Sequence, residues 1–306
     1  MSRVRTAVLF LALSVLWGAA FPAIKAGLSF FPPVLFAALR YDVAGVLMLA
    51  YAARVTDRPL PRTRQEWYVA AVAGGAFMIA GYHAFLFVGE QYTTSAVAAV
   101  VVGLNPVLTT GFARALLPGQ RLTVLGVAGL VFGLAGVVVL ANPDPSNLLG
   151  ATSRGPVLVF AAAASFALGS VLARRSGADL PVETMEAWAM LLGAGLMHVG
   201  SVAAGEPQRV ALDAPALAAL GYLSLLASAL GFLIYFRLLD RIGPVELNLV
   251  SYVVPLVAAA VGFAVLGETV TVRTGVAFLA IVTGFGLVKR RALAAELARL
   301  RGRSPE

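Results

Sequence analysis

Five ionisable side chains in or just beyond long apolar runs are candidates for chemistry: Arg40, Asp42, His83, Glu90 and Glu186. A charge at the centre of a bilayer costs about 2.5–3.5 kcal/mol on insertion scales, so each needs a reason. Arg40 offers a two-pronged grip for a carboxylate or phosphate; bonding to an acid or to carbonyls of a neighbouring helix is the competing role. Asp42, two residues on, falls on another helix face, so the two cannot simply neutralise each other. It is a candidate for cycling a proton or pairing with a substrate ammonium, against a structural ion pair. His83, Phe87 and Glu90 share a face at i, i+4, i+7. Histidine titrates near neutral pH, which suits a relay or gate, and a buried histidine bonded to a carbonyl fits equally. Glu90 is expected near the outer end of its run, where solvation is the default. Glu186 enters its run from the inner side, placed to guard that mouth, and His198 is expected at the interface.

Aromatic rings at Trp17, Tyr41, Tyr82, Trp188, Tyr235 and Tyr252 would wall a mostly apolar pocket as a group. Three prolines interrupt apolar runs: Pro22, Pro106 and Pro255. A proline inside a helix removes a donor and clashes with the carbonyl four residues back. Pro106 should free the carbonyl of Val102, and Pro255 that of Ser251. Such breaks persist in lipid only where protein or a wet cavity satisfies the freed group. Asn105 precedes one break, and Asn248, Tyr252 and Pro255 line one face before the other.

The elements that must position these groups follow from composition. The chain has 306 residues, 60% hydrophobic and 12% charged, with a mean hydropathy of +0.89. Crossing ~30 Å of hydrocarbon takes about 20 helical residues. Ten runs qualify: Ala7–Ile24, Pro33–Tyr51, Trp67–Val88, Thr94–Phe112, Leu122–Ala141, Gly155–Ala173, Glu183–Ala203, Pro215–Leu238, Val245–Leu266 and Thr274–Val288. The expected class is an all-α integral membrane protein with ten transmembrane helices.

The formal charge of +8 is a topology signal. With the N-terminus inside, 18 of the 23 Lys and Arg fall on inner segments and four on outer ones (Lys25, Arg154, Arg209, Arg273), leaving Arg40 in a span. The positive-inside rule then puts both termini in the cytoplasm of a prokaryotic plasma membrane and removes nucleic acid as a partner. No cysteine is present, so thiolate chemistry is excluded. No nucleotide-binding loop, His-Glu-x-x-His or Gly-x-Ser-x-Gly occurs. No catalytic residue, cofactor or metal is expected, and any transport must draw on a gradient.

Slid by roughly 149 residues, the chain meets itself. Lys25 meets Arg174, Pro33-Val34 meets Pro181-Val182, Gly81-Tyr82 meets Gly231-Phe232, Glu90 meets Asp240, and Pro106 meets Pro255. Residues 1–148 form a first five-helix repeat, 149–290 a second and 291–306 a basic tail, where Leu293, Leu297 and Leu300 suit a helix on an anionic leaflet as well as a frayed end. Five is odd, so the copies should be inverted in the bilayer. Pro22 has no proline counterpart, so the halves differ there.

Trp17-Gly18-Ala19-Ala20-Phe21, Ala38-Leu39-Arg40-Tyr41, the Pro106 and Pro255 runs and Gly267-Glu268-Thr269-Val270-Thr271 resemble the drug/metabolite transporter superfamily, specifically its EamA-like members. The resemblance implies two five-helix modules and export of small organic metabolites. Gln120 stands where the first module's turn would more often carry glutamate.

The leading expectation is a gradient-driven secondary transporter of amino acids or related amphipathic compounds, with the lipid bilayer as its surroundings. An exchanger of phosphorylated or nucleotide-linked metabolites would want more cations than Arg40 and Lys25. A membrane enzyme would need Asp42, His83 and Glu186 together. A non-transporting component would use the Gly126, Gly129, Gly133, Gly136 face, which packs a neighbouring helix within the monomer or across a homodimer.

Overall fold

Apolar runs of this length leave the backbone no partner in lipid except itself, and a helix closes its N–H and C=O groups within one segment. The computed structural model describes residues 3–117, 124–142, 151–247 and 249–300, and they contain helices and turns with no strand. The helices group into α1 (Val4–Gly27), α2 (Pro33–Val55), α3 (Arg64–Glu90), α4 (Ser95–Leu116), α5 (Val124–Ala141), α6 (Ser153–Ser176), α7 (Val182–Ala203), α8 (Ala214–Gly243), α9 (Val250–Leu266) and α10 (Val272–Leu300). Among the described residues seven of these, α1–α6 and α8, are long and apolar enough to cross a membrane. α9 and the apolar part of α10, Val272–Val288, are shorter, and α7 carries Glu183, Glu186 and His198. Outward faces present Val46, Val131, Phe132, Val199 and Leu279, as a lipid-facing surface would.

Chain punctuation explains the helix ends. Proline in the first turn opens α2 and α8, where it displaces no helical donor. Asp213 and Thr94 cap α8 and α4 by accepting from Ala216 N and Val97 N. Thr63 and Glu66 close a capping box on α3. Gly267 ends α9 in the left-handed conformation at φ 66°. α10 runs on to Leu300, so its backbone extends the last apolar helix into the basic tail.

The packing carries the duplication. α2 lies along α7 and α5 along α10, each helix against its own counterpart. α1 packs on α9 as α6 packs on α4, and α3 on α7 as α8 on α2. The glycine face of α5 is filled from within the chain. A Cβ on Gly129 would fall 2.5 Å from the carbonyl oxygen of Gly284, and one on Gly284 would fall 2.6 Å from that of Gly129. That glycine-on-glycine crossing seats Gly129 against α10 within the monomer.

Two internal features recur in both halves. α3 is π-helical over Val69–Gly81 and α8 over Tyr222–Leu230. Wide turns of this kind disturb the regular ladder and are concentrated at functional sites. The carbonyl of Phe77 accepts from Ser165 Oγ at 2.8 Å, and that of Ala227 accepts from Trp17 Nε1 at 3.1 Å. The two carbonyls occupy matching positions of their helices, and their donors, Ser165 and Trp17, sit one residue apart in the register of the repeat.

The proline breaks are the second feature, and they differ in detail from expectation. α1 is interrupted at Gly18–Ala19, four residues before Pro22, where Pro22 has no N–H for the Gly18 carbonyl. α4 breaks at Gly103–Leu104 and restarts with Pro106 in the first turn of the new helix, instead of kinking around it. α9 begins at Val250, with Pro255 inside it. The Ser251 carbonyl, which Pro255 cannot bond, faces Gly103, where a Cβ would fall 3.4 Å away. Gly18 lies against Val254 and Val257. The three broken helices therefore meet along one stretch of α9.

Candidate functional site

The α2–α7 pair and the two π-helical segments bring a line of polar groups together at the centre of the chain. Arg40, 6% exposed, donates from Nε to Ser228 Oγ on α8 at 2.9 Å. The hydroxyl of Tyr41 lies 2.7 Å from His83 Nε2, and His83 Nδ1 lies 2.9 Å from the Ile79 carbonyl oxygen. A carbonyl only accepts, so Nδ1 carries the hydrogen. In the neutral ring Nε2 then accepts from Tyr41. Both histidine nitrogens are thereby engaged, which realises the carbonyl-bonded alternative for His83. Ser228 also reaches the Tyr41 hydroxyl, so Arg40, Ser228, Tyr41 and His83 form one network.

Arg40 meets no acid among the described residues. A guanidinium has five N–H donors; among the described residues Nε donates to Ser228, and the guanidinium lies over the Tyr41 ring, 5.0 Å from its centroid. Tyr41 stands next to it, His83 is bonded to Tyr41, and Tyr82 lies edge-on to His83. Glu186, also 6% exposed, faces Tyr41 and Tyr235 with no hydrogen bond or ion pair to the described protein. An arginine and a carboxylate with spare bonding capacity thus flank the same tyrosine.

Aromatic walls close this region from both halves. Trp17 sits edge-on to Phe232 at 5.9 Å and beside Tyr235 at 5.6 Å. Tyr82 sits edge-on to Phe166 at 5.4 Å and to His83 at 4.5 Å. Tyr82–Phe166 and Phe232–Trp17 are counterparts. A Cβ on Gly231 would come within 2.7 Å of Trp17 Nε1, so glycine there makes room for the indole.

Other predicted residues lie elsewhere. Trp188 donates Nε1–H to the Pro59 carbonyl at 2.9 Å and stacks edge-on against Trp67, pinning the α2–α3 connection away from the polar line. Asp42, on the opposite side of α2 from Arg40, is 2.7 Å from His198 Nε2, and both side chains are partly exposed on the outer face of the α2–α7 pair. His198 is thus Asp42's partner across the α2–α7 pair. Asp42, His83 and Glu186 do not come together. Asn105 Oδ1 and the Tyr252 hydroxyl are buried without partners near the helix breaks, with Tyr252 packed on Phe285 at 4.6 Å. Asn248 and Gln120 lie outside the described residues.

Glu90 departs furthest from expectation. It is 0% exposed, and neither carboxylate oxygen has a partner. Lys25 donates instead to the backbone carbonyls of Glu90 and Thr93 at 2.6 and 2.8 Å. Glu268 accepts from the Ser95 N–H at 3.0 and 3.1 Å and from its hydroxyl at 3.3 Å, tying the α9–α10 connection to the start of α4. Glu206 similarly accepts from Val34 N and Leu35 N at the start of α2.

Sequence reasoning missed Ser228, Ser165, Phe166 and Glu206. Ser224 and Ser228, four apart in an apolar run, were a readable signal for a polar stripe on α8, and Phe166 was findable as the counterpart of Trp17.

Known proteins share this sequence pattern and fold. The model of the EamA-like transporter family matches residues 4–142 and 153–290. An uncharacterized inner membrane transporter, YedA, of Escherichia coli (strain K12) is 32% identical over 262 residues, covering 85% of this chain and 82% of that protein. An uncharacterized transporter, YvbV, of Bacillus subtilis (strain 168) is 27% identical over 297 residues, covering 97% and 95%. A solved crystal structure superposes with a TM-score of 0.64 at 27% identity, covering 95% of this chain and 99% of that one.

Proposed function

The chain belongs to the EamA-like transporter family, and from that premise we propose that it is a secondary transporter exporting small zwitterionic or amphipathic metabolites, such as amino acids, by alternating access. In this reading all ten helical stretches cross a prokaryotic plasma membrane with both termini cytoplasmic, the second module inverted relative to the first. The substrate lies between α1, α2, α3, α7 and α8. Arg40 takes its carboxylate, Glu186 its ammonium, and Trp17, Tyr41, Tyr82 and Tyr235 its apolar body. The observation that carries this is that Arg40 and Glu186, both buried near Tyr41, have no opposite-charge partner among the described residues. A buried charge left unpaired is costly, so binding the oppositely charged end of a ligand is favourable.

Pro22, Pro106 and Pro255 serve as hinges where α1, α4 and α9 meet, and the unpartnered Asn105 Oδ1 and Tyr252 hydroxyl find partners when those helices part. Asn248 stays a proposed contact on sequence grounds. His83 positions Tyr41 and takes no substrate of its own. Phosphorylated substrates are disfavoured, because Lys25 is held by two backbone carbonyls and leaves Arg40 as the available cation.

The test is counterflow in liposomes bearing purified protein, with labelled zwitterionic amino acids compared with phosphorylated metabolites. Exchange of the first and not the second supports the reading. If neither class moves under an imposed substrate, proton or sodium gradient, the reading is lost.

A further inference from the structure

Resting on the transport reading, we propose that Glu90 is the proton-binding site that links opening of the α1–α3–α4–α9 end of the bundle to the proton gradient. Of the acidic groups near that end or in the central helices, Glu90 is set apart by geometry. Asp42 is bonded to His198, and Glu268 is saturated by Ser95. Glu186 borders the substrate region. Glu90 is fully enclosed, with neither oxygen touched by a donor or by water-accessible space. An ionised carboxylate held that way lacks every interaction that offsets the loss of its hydration, whereas a protonated one escapes most of that penalty. In this conformation Glu90 therefore holds a proton.

Departure of that proton acts through the groups around it. The charged or titratable groups facing Glu90 from the elements around it include Lys25 on α1, Arg40 on α2, Tyr82 and His83 on α3 itself, Glu268 after α9, and Arg154 at the start of α6, which lies over the Tyr92 ring. Lys25 is the near cation, and its ammonium closes the end of α3 by holding the carbonyls of Glu90 and Thr93. Loss of the proton to water leaves a carboxylate that draws the Lys25 ammonium to itself. That releases the two carbonyls and loosens the α3–α4 turn directly before Ser95, the residue that Glu268 grips. Reprotonation returns Lys25 to the carbonyls and restores the closure. The basic-residue distribution assigns this end to the outer side.

Infrared difference spectra on detergent-purified protein test the proton directly. Wild type should show the C=O stretch of a protonated carboxyl at neutral pH, lost on alkaline titration. Glu90→Gln should lack that band, and Lys25→Met should keep it to higher pH than wild type. In liposomes the wild-type transport rate should depend on an imposed pH gradient, and Glu90→Gln should flatten that dependence. A band unaltered by Glu90→Gln, or a variant with the wild-type gradient response, overturns the proposal. Should Glu90→Gln fail to fold, the Lys25→Met titration decides, and a band that ends at the wild-type pH overturns it. If the band behaves as expected in a protein that transports nothing, the proton site stands and the transport reading falls; if transport proceeds indifferent to Glu90→Gln, the proton site falls alone.

Discussion

The third helix of each half is built alike and equipped differently. α3 and α8 both carry a π-helical stretch, both offer a carbonyl to a side chain on the first helix of the other half, and both follow it with glycine and an aromatic ring. Beyond that point they part. Tyr82-His83 stands against Phe232-Leu233, and the fully enclosed Glu90 stands against the exposed Asp240. On the second helices, Arg40 in the polar network corresponds to Trp188, whose indole holds the α2–α3 connection. Duplication thus preserved the backbone devices that let helices cross and bend, because those depend on small residues and main-chain geometry. The buried ionisable groups are divided unevenly, with Arg40, Glu66, His83 and Glu90 in the first half and Glu186 in the second, and each is costly to place in an apolar setting.

Four experiments bear on that contrast. The largest effect expected is an all-or-none one. Ser29→Cys and Ala178→Cys, near counterpart positions in the α1–α2 and α6–α7 connections, should react with an impermeant thiol reagent from opposite faces of the membrane; reaction from one face for both would end the inverted arrangement. The background is clean, because the chain has no cysteine. Next is packing of the two fifth helices. Gly129→Val drives side-chain atoms into the Gly284 backbone and should lower stability by about 3 kcal/mol, seen as a fall in Tm in detergent. Gly286→Ala, on the same partner helix with open space around it, should leave Tm unchanged.

The contrast of second helices is sharpened by Arg40→Gln. Losing the charge-assisted bonds to a substrate carboxylate should cut the transport rate roughly 100-fold. Trp188→Phe should change transport little and lower Tm slightly, through the lost bond to Pro59. Comparable losses in both would mean that the halves share the work equally. The smallest effect is expected from His83→Leu, which copies the residue found at the matching position of α8. It leaves the Tyr41 hydroxyl without His83 as acceptor and should reduce transport about tenfold, with a stability cost of about 1 kcal/mol. Full activity would remove His83 from any positioning role.

Much of the architecture was legible in the residues alone. Apolar run length, the self-match at roughly 149 residues and the proline punctuation all report on backbone requirements that lipid enforces locally, and the EamA-like family model matches the chain twice, over residues 4–142 and 153–290. The site was legible only in part. Arg40, Tyr41, Tyr82, His83, Trp17, Tyr235 and Glu186 do converge, yet Trp188 and Asp42 point elsewhere, although nothing in their spacing says so. Asp42 and Arg40 occupy the same helix two residues apart, and helical geometry does separate their faces. Which face looks inward depends on α7 and α8, more than a hundred residues downstream.

Sequence alone therefore determined the kind of protein, its duplicated helical plan and the small set of ionisable residues that need explaining, because each follows from the cost of placing backbone and charge in hydrocarbon. Tertiary structure alone decided the π-helical turns in α3 and α8, the partner of each charge, and that Glu90 is sealed away while Asp42 is not. Those depend on which distant helix supplies the next donor within hydrogen-bonding range, a fact of packing that no local pattern encodes.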